Sequence, residues 1–288
     1  MDSPSPDIRT SVVTVSFGSG EQLRNMLGSL PPGTPTVIVN NDPEDSLDVL
    51  DTIEGRDHRT LIHNQTNAGF GAACNIGAKQ TGTEFLLFLN PDAQLEPDCI
   101  QALEVAADAH RGAVAFNPAM KNDRGKPLFK RSSVLLPQNR HLPRGWPSET
   151  RTVPVLNGAA FFVRKSAFDQ VSGFDDRIFL YHEDDDLSIR LAENVGNLMF
   201  VREAEVIHQS GHSAPRSPEI AALKAYHMGR SRVYATRKHK LPFAGVRAVA
   251  DACVQLFNPA VVLSARKRAK QIAFLKGVLS AAPIGAEL

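Results

Sequence analysis

Cysteine is scarce. Three thiols in 288 residues, Cys74, Cys99 and Cys253, are too few and too scattered for a disulfide framework or a cysteine-based zinc site. The opening residues, Met1-Asp2-Ser3-Pro4-Ser5-Pro6-Asp7, contain no apolar run, so no secretory signal is expected and nothing points to an oxidising compartment. No G-x-x-x-x-G-K-[S/T] loop occurs, which removes the P-loop ATPases. The dinucleotide fingerprint G-x-G-x-x-G is broken, because Cys74 stands where a third glycine should follow Gly69 and Gly71. His208 and His212 do not have the spacing of an H-E-x-x-H zinc site, and no internal repeat stands out.

Acidic residues are missing from one region. Residues 224–288 hold 12 of the 32 Lys and Arg but only two acids, Asp251 and Glu287, so this tail is +10 and the remainder −9. An anionic partner is therefore expected at the tail: nucleic acid, a lipid surface or a phosphorylated substrate. Leu241 to Leu263 is apolar, but Arg247 and Asp251 interrupt it. A charge at the bilayer midplane costs roughly 2.5–3.5 kcal/mol, which favours helices lying on an anionic membrane over a span. Arg266, Lys267, Arg268 and Lys270 followed by Phe274, Leu275, Val278 and Leu279 suit that arrangement. A helical cap with a solvated basic face, or an apolar stripe serving a homodimer, is the alternative.

What is present is an ordinary soluble composition, 42% hydrophobic and 22% charged, with strand and helix signals alternating along the chain. Strands are predicted at Ile8–Ser16, Thr36–Val39, Arg59–Ile62, Glu84–Leu89, Ala113–Phe116, 155–164 and 199–207. Helices are predicted at 21–30, 46–53, 71–80, 97–109, 166–171 and 185–195. Residues 121–153 lack a period and read as a long loop or hairpin excursion. Residues 218–280 read as helical, with breaks near Pro242 and Pro259. Such alternation predicts an α/β fold with a mostly parallel central sheet, flanking helices and a helical basic C-terminal extension. Ligands bind such sheets beyond the carboxyl ends of the strands, where polar clusters follow Val15, Val39 and Leu89.

Four clusters carry chemistry. Asn90-Pro91-Asp92 delivers one carboxylate from a rigid strand end, which suits Mg²⁺ or Mn²⁺ shared with a diphosphate; a turn capping the next helix is the competing reading. Asn67 through Asn75 contains glycines that allow backbone to approach a ligand where a helix begins. Tyr181-His182-Glu183-Asp184-Asp185-Asp186 places four consecutive acids at a helix start, where the dipole favours carboxylates and one can serve as a general base. A well-capped surface helix would show the same letters. His208, just past a strand end, is either a metal ligand or a loop histidine.

In this order, these clusters resemble the inverting glycosyltransferases of family 2, with the GT-A fold. They are most similar to the actinobacterial rhamnosyltransferase group that acts on decaprenyl-diphosphate-linked N-acetylglucosamine. The resemblance covers about residues 10–240 and rests on Val12–Gly18, Val37–Asn41, Asn67–Asn75, Phe88–Asp92, Asn157-Gly158-Ala159 and above all Val171–Arg190. It implies a nucleotide base and ribose site at Val15, Ser16, Phe17, Asn40 and Gly69, with Asn90 in place of the usual first aspartate. It implies metal ligation by Asp92 and His208, a general base in Glu183-Asp184 (Asp184 by preference), and a sugar and acceptor cradle at Gly158 and Ala159. Arg232, with Arg230 and Tyr234, falls where donor or acceptor phosphates would be met.

Asn40 departs from the aspartate common at its position. Its amide oxygen can still accept from a base N3–H, without charge assistance, and would not separate uracil from thymine.

The expected reaction is a single displacement. A dTDP- or UDP-linked sugar donor passes its sugar, L-rhamnose as the first expectation, to a hydroxyl of a glycan or polyprenyl-diphosphate-linked sugar. The expected location is cytoplasmic and peripheral on the inner face of the cell membrane. Residues 1–217 are expected to form the catalytic domain and 218–288 the membrane-docking or dimer element. An inactive sugar-nucleotide-binding homologue and a basic-tailed nucleic-acid-binding protein are the rivals. The acids at 183–186 count against the second, because they repel a polyanion.

Overall fold

The computed structural model describes residues 8–47, 58–209 and 217–281. β1 (Thr10–Ser16), α1 (Gly20–Gly28), β2 (Thr36–Asn40), β3 (Arg59–His63), α2 (Phe70–Ala78) and β4 (Phe85–Leu89) form the first half. β1, β2 and β4 are buried along their whole length, as fully covered parallel strands are. β1 pairs in parallel with β2 and β4, and β2 with β3. The carboxyl ends of these strands therefore lie on one edge, and the polar clusters after Val15, Val39 and Leu89 gather there.

The second half adds β5 (Ala93–Leu95), α3 (Cys99–Ala109), β6 (Ala113–Lys121), β7 (Pro127–Leu128), β8 (Arg151–Thr152), β9 (Ala160–Arg164), α4 (Lys165–Gln170), α5 (Glu183–Asn194) and β10 (Asn197–His208). The described strands form one ten-stranded sheet, whose main path runs β3-β2-β1-β4-β9-β6-β10-β5. β9 lies antiparallel between β4 and β6, while β10 runs parallel to β6. Helices cover both faces, over two cores centred on Phe85, Phe116 and Phe162 on one side and Phe88, Phe161 and Phe174 on the other.

Several expected boundaries shift. The strand predicted over 155–164 begins only at Ala160. Before it, Asn117 donates to the carbonyls of Asn157 and Ala160 and accepts from the Asn157 N–H, holding 157–159 off the ladder. β6 runs past Phe116 to Lys121, because β10 continues beside it through a bulge. β5 was not anticipated; three residues are too short to show alternation. The excursion at 121–153 sends β7 back against β6 and β8 onto β10, with Phe129 edge-on to Phe200 and Arg202 over the Trp146 ring. Most of the helix predicted over 46–53 lies outside the described residues.

The tail is helical as expected: α6 (Pro218–Lys238), α7 (Ala244–Leu256), α8 (Pro259–Val262) and α9 (Ala265–Ala281). α6 starts with a Ser217 cap and Pro218 in its first turn, which satisfies an N–H that the helix cannot pair. α6 and α9 cross at near contact of their backbones. A Cβ on Gly277 would sit 1.9 Å from the Tyr226 carbonyl oxygen, and one on Gly229 2.3 Å from that of Phe274. Gly277→Ala is therefore expected to cost about 1–3 kcal/mol by forcing the helices apart. Urea unfolding checks this: its midpoint should fall for Gly277→Ala and hold for Gly82→Ala, where a Cβ meets nothing within 4 Å.

Candidate functional site

A cleft of about 290 Å³ opens at the carboxyl edge of the sheet. Val15, Phe17, Asn41, Asn67 and Gly69 line it from the first half, Asn90, Pro91 and His208 from its floor, and Gly158, Ala159, Glu183 and Asp184 from the second half.

Gly69 has φ of +86°, and a Cβ there would lie 2.4 Å from the Phe179 carbonyl oxygen, which accepts from the Phe70 N–H at 2.9 Å. Only glycine fits both the left-handed backbone and that approach. Asn41 organises the neighbouring loops: its amide donates to Asn67 at 2.8 Å and accepts from Asn64 and the Ala68 N–H, each at 3.0 Å.

Two residues expected here are placed elsewhere. Asn40, the last residue of β2, does not line the cleft. Its oxygen accepts from the Asp42 N–H at 3.0 Å and its amide donates to the Asp45 carbonyl, so the side chain is consumed in the loop. Successive side chains at a strand end alternate sides, and the cleft receives Asn41 instead. Ser16 is fully buried and bonded to the Ser19 hydroxyl at 3.0 Å.

Asp92 and His208 are brought together by strand pairing. β5 and β10 run antiparallel with His208 opposite Ala93, which sets the two residues side by side although 116 positions separate them. Asp92 Oδ1 lies 3.2 Å from His208 Nε2, and the Asp92 carboxylate is almost wholly buried. Among the described residues no group of three or more His, Cys, Asp or Glu is placed to hold a metal ion. The chain would therefore supply two ligands, a carboxylate oxygen and an imidazole nitrogen, and donor phosphates and water the rest. One carboxylate with phosphates and water is how Mg²⁺ is usually held, and the imidazole nitrogen suits a transition ion such as Mn²⁺ better than Mg²⁺, so the residues fit a divalent ion.

The acids stand at the start of α5. Tyr181 and His182 both adopt left-handed backbone, φ +66° and +70°, an unfavourable conformation for residues with side chains that here turns the chain sharply into the helix. Asp184 accepts from the Gly158 N–H at 2.9 Å and from Lys130 Nζ at 2.6 Å. Lys130 also reaches Asp185 at 2.8 Å. Burial alone would lower the Lys130 ammonium, but these two carboxylates outweigh it and hold it firmly charged. Asp185 is opposed by burial yet held down to about 2 by Lys130 and His182.

Glu183 behaves oppositely. It is 7% exposed, its Oε2 has no hydrogen-bond partner among the described residues, and burial followed by the Asp184 charge pushes its carboxyl up to about 8. Adjacent carboxyls with pKa values driven apart are a common arrangement of catalytic sites.

Asp175 and Asp176, at the turn before α5, tie elements together. Asp175 accepts from Tyr234 at 2.8 Å and Lys238 at 2.6 Å, and Asp176 from Asn75 at 2.7 Å. Arg232 pairs with Asp251 and lines a different cavity, away from the cleft. Lys130 and Lys224 were missed in the sequence as site residues. Lys224 lines the cleft from α6, and burial lowers its ammonium while the charge of Asp92 opposes this. No local motif marks either lysine.

The Glycosyl transferase family 2 profile matches residues 11–172, which span β1 to α4 with Asp92 and Gly158. The chain belongs to that family. It is similar to the N-acetylglucosaminyl-diphospho-decaprenol L-rhamnosyltransferase of Mycobacterium tuberculosis, 30% identical over 249 residues, 75% of this chain and 80% of that protein. The mannosyltransferase PcManGT from Pyrobaculum calidifontis, solved with GDP-Man and Mn²⁺, has a TM-score of 0.59 at 14% identity and covers 97% of this chain and 89% of its own. The S. aureus TarS 1-349 structure with UDP-GlcNAc has a TM-score of 0.55 at 18% identity, covering 95% and 91%. At these identities the two structures establish the fold, as expected from the motifs. The family 2 chain is a glycosyltransferase by membership, and the resemblance read from its motifs holds.

Glu183 gives a test of the cleft's electrostatics. A carboxyl whose pKa is raised on folding stabilises the fold while protonated. That contribution is complete below the ordinary value of 4.5 and is lost as pH rises through about 8. Urea unfolding of Glu183→Gln should match the wild type near about pH 4 and exceed it near about pH 9.

Proposed function

We propose that this family 2 enzyme moves a sugar, L-rhamnose on the strength of its mycobacterial relative, from a dTDP- or UDP-linked donor to a hydroxyl of a polyprenyl-diphosphate-linked sugar, with inversion. The observation that carries this reading is the cleft itself. His208 and Asp184 line the same space, and His208 is backed there by the buried Asp92 carboxylate at 3.2 Å, a pair fit for a metal-bound diphosphate.

Asn41, Asn67 and Gly69 shape the wall for the nucleoside, with Val15 and Phe17 as its apolar part. Asp92 and His208 would hold a divalent cation, whose chemistry is to offset charge on the departing diphosphate. Lys224 adds a protein cation to the same wall. Gly158 and Ala159, lacking bulk, leave room for the sugar. Asp184 accepts the proton of the acceptor hydroxyl as its oxygen bonds to the anomeric carbon. The bond from that carbon to the diphosphate oxygen breaks on the opposite face, and the electron pair leaves with the nucleoside diphosphate. Gly158 and Lys130 hold the carboxylate in place for this step. Glu183, kept protonated at neutral pH by its surroundings, offers a hydrogen-bond donor beside it.

In this reading residues 1–217 are the catalytic unit and 218–288 a helical unit that keeps it on the inner, anionic face of the membrane where the acceptor lies. No helix among the described residues is long and apolar enough to cross a bilayer. A nucleic-acid partner is disfavoured by the carboxylates lining the cleft.

Calorimetry with a panel of nucleoside diphosphate sugars, with and without Mn²⁺, tests the donor half. One donor should bind in a metal-dependent manner, and Asp92→Ala should abolish the metal dependence. Absence of binding by any donor would argue for an inactive sugar-nucleotide-binding homologue. Asp184→Asn tests the base: kcat should fall by about 10²–10⁴-fold, while donor affinity stays within a few-fold.

A further inference from the structure

α7 is apolar on two sides. Its inner side is built of small residues, Ala244, Ala248 and Ala252, of which the last two pack with α6 and α9. Its outer side carries large ones: Phe243 is 72% exposed, Val246 64%, Val254 70% and Phe257 81%. At about 100° per residue these four fall within an arc of about 80°. Leu263, 86% exposed just after α8, adds to the apolar surface of the same segment. Exposed large apolar side chains grouped in this way mark an interaction face.

The surroundings of this stripe are basic. Arg247, Arg266, Lys267, Arg268 and Lys270 are all exposed, and no acid occurs from Ala252 to Ala281. Asp251 is engaged by Arg232. Beside α7, against the end of α6 and the loop at 133–141, lies a second cavity of about 690 Å³. Arg140, Arg232, Lys240 and Arg247 line it, against only Glu193 and Asp251.

We propose that α7 and α8 form a docking face for an anionic bilayer. Phe243, Val246, Val254, Phe257 and Leu263 enter the acyl boundary, and the basic cavity beside α7 receives the headgroup of an anionic phospholipid. A second copy of the chain is a poor occupant, because a symmetric contact would set the same cations against one another. A bilayer supplies both an apolar layer and opposite charge. The inference gives residues to the membrane element of the proposed function and takes its purpose from that reading.

Vesicle co-sedimentation of the full chain tests it, with phosphatidylcholine alone against phosphatidylcholine containing phosphatidylglycerol, at low and high salt. Donor binding is measured in parallel on every variant. The wild type should bind the anionic vesicles selectively and release them at high salt. Phe243→Ser with Phe257→Ser should weaken binding at least tenfold. Arg140→Ser with Arg247→Ser should weaken it by about fivefold for each cation removed. All four side chains lie off the cleft, so donor binding should be unchanged and reports that the variants are folded. Equal binding to both vesicle types, no vesicle binding, or unchanged binding by the phenylalanine pair would overturn the proposal. So would a concentration-dependent dimer that this pair disperses. Donor binding without vesicle binding overturns the docking face alone, whereas vesicle binding without any donor binding leaves the face standing and removes the transfer reaction.

Discussion

The cleft depends on how one carboxylate is held. Asp184 receives the Gly158 N–H from the loop before β9 and the Lys130 ammonium from the excursion between β7 and β8. Three segments far apart in sequence therefore meet at one oxygen atom, Asp184 Oδ2. Neither cation nor carboxylate would be tolerated in so enclosed a place without the other. The same Asp184 charge that helps secure Lys130 adds to burial in raising the neighbouring Glu183.

Much of this was legible in the letters, for identifiable reasons. Fully buried strands such as β4 announce themselves as continuous apolar runs, and the residues at their carboxyl ends must then face the edge where ligands bind. Asp92 was found in that way, whereas Gly69 and the acids of α5 were marked by glycines and by four consecutive carboxylates at helix starts. Asp92 and His208 could be named separately, but their contact depends on β5, a strand of three residues that carries no periodic signal. Asn40 shows the limit of reading by position: a one-residue step at a strand end moved the expected amide into the loop and brought Asn41 to the cleft. Lys130 and Lys224 lay in segments read only as loop and helix. Their roles come from tertiary placement, which no local pattern encodes.

The helical tail meets the catalytic part through specific chemistry. α6 contributes Lys224 near its start to the cleft and Tyr234 and Lys238 near its end to Asp175. α9 lies against it where Gly229 and Gly277 let the two backbones approach and Ala225, Val233, Phe274 and Val278 pack together. The charge segregation seen in the sequence thus coincides with a structural unit.

Asp186 gives this arrangement a mechanical meaning. It is fully buried and accepts from Arg190 on its own helix at 2.8 Å, from His239 at 2.9 Å and from Lys238 at 2.8 Å, the last two at the end of α6. Burial works against its charge, yet the hydrogen bond from His239, the charge of Arg190 and the contact with Lys238 hold its carboxyl down to about 2. It sits two residues from Asp184 on a helix whose first turn forms the cleft wall. α6 and α5 are therefore coupled in series, like a lever and its fulcrum. Load placed on the tail is carried into the acid helix unless these charged contacts break first, so where the tail rests helps set how the cleft is held.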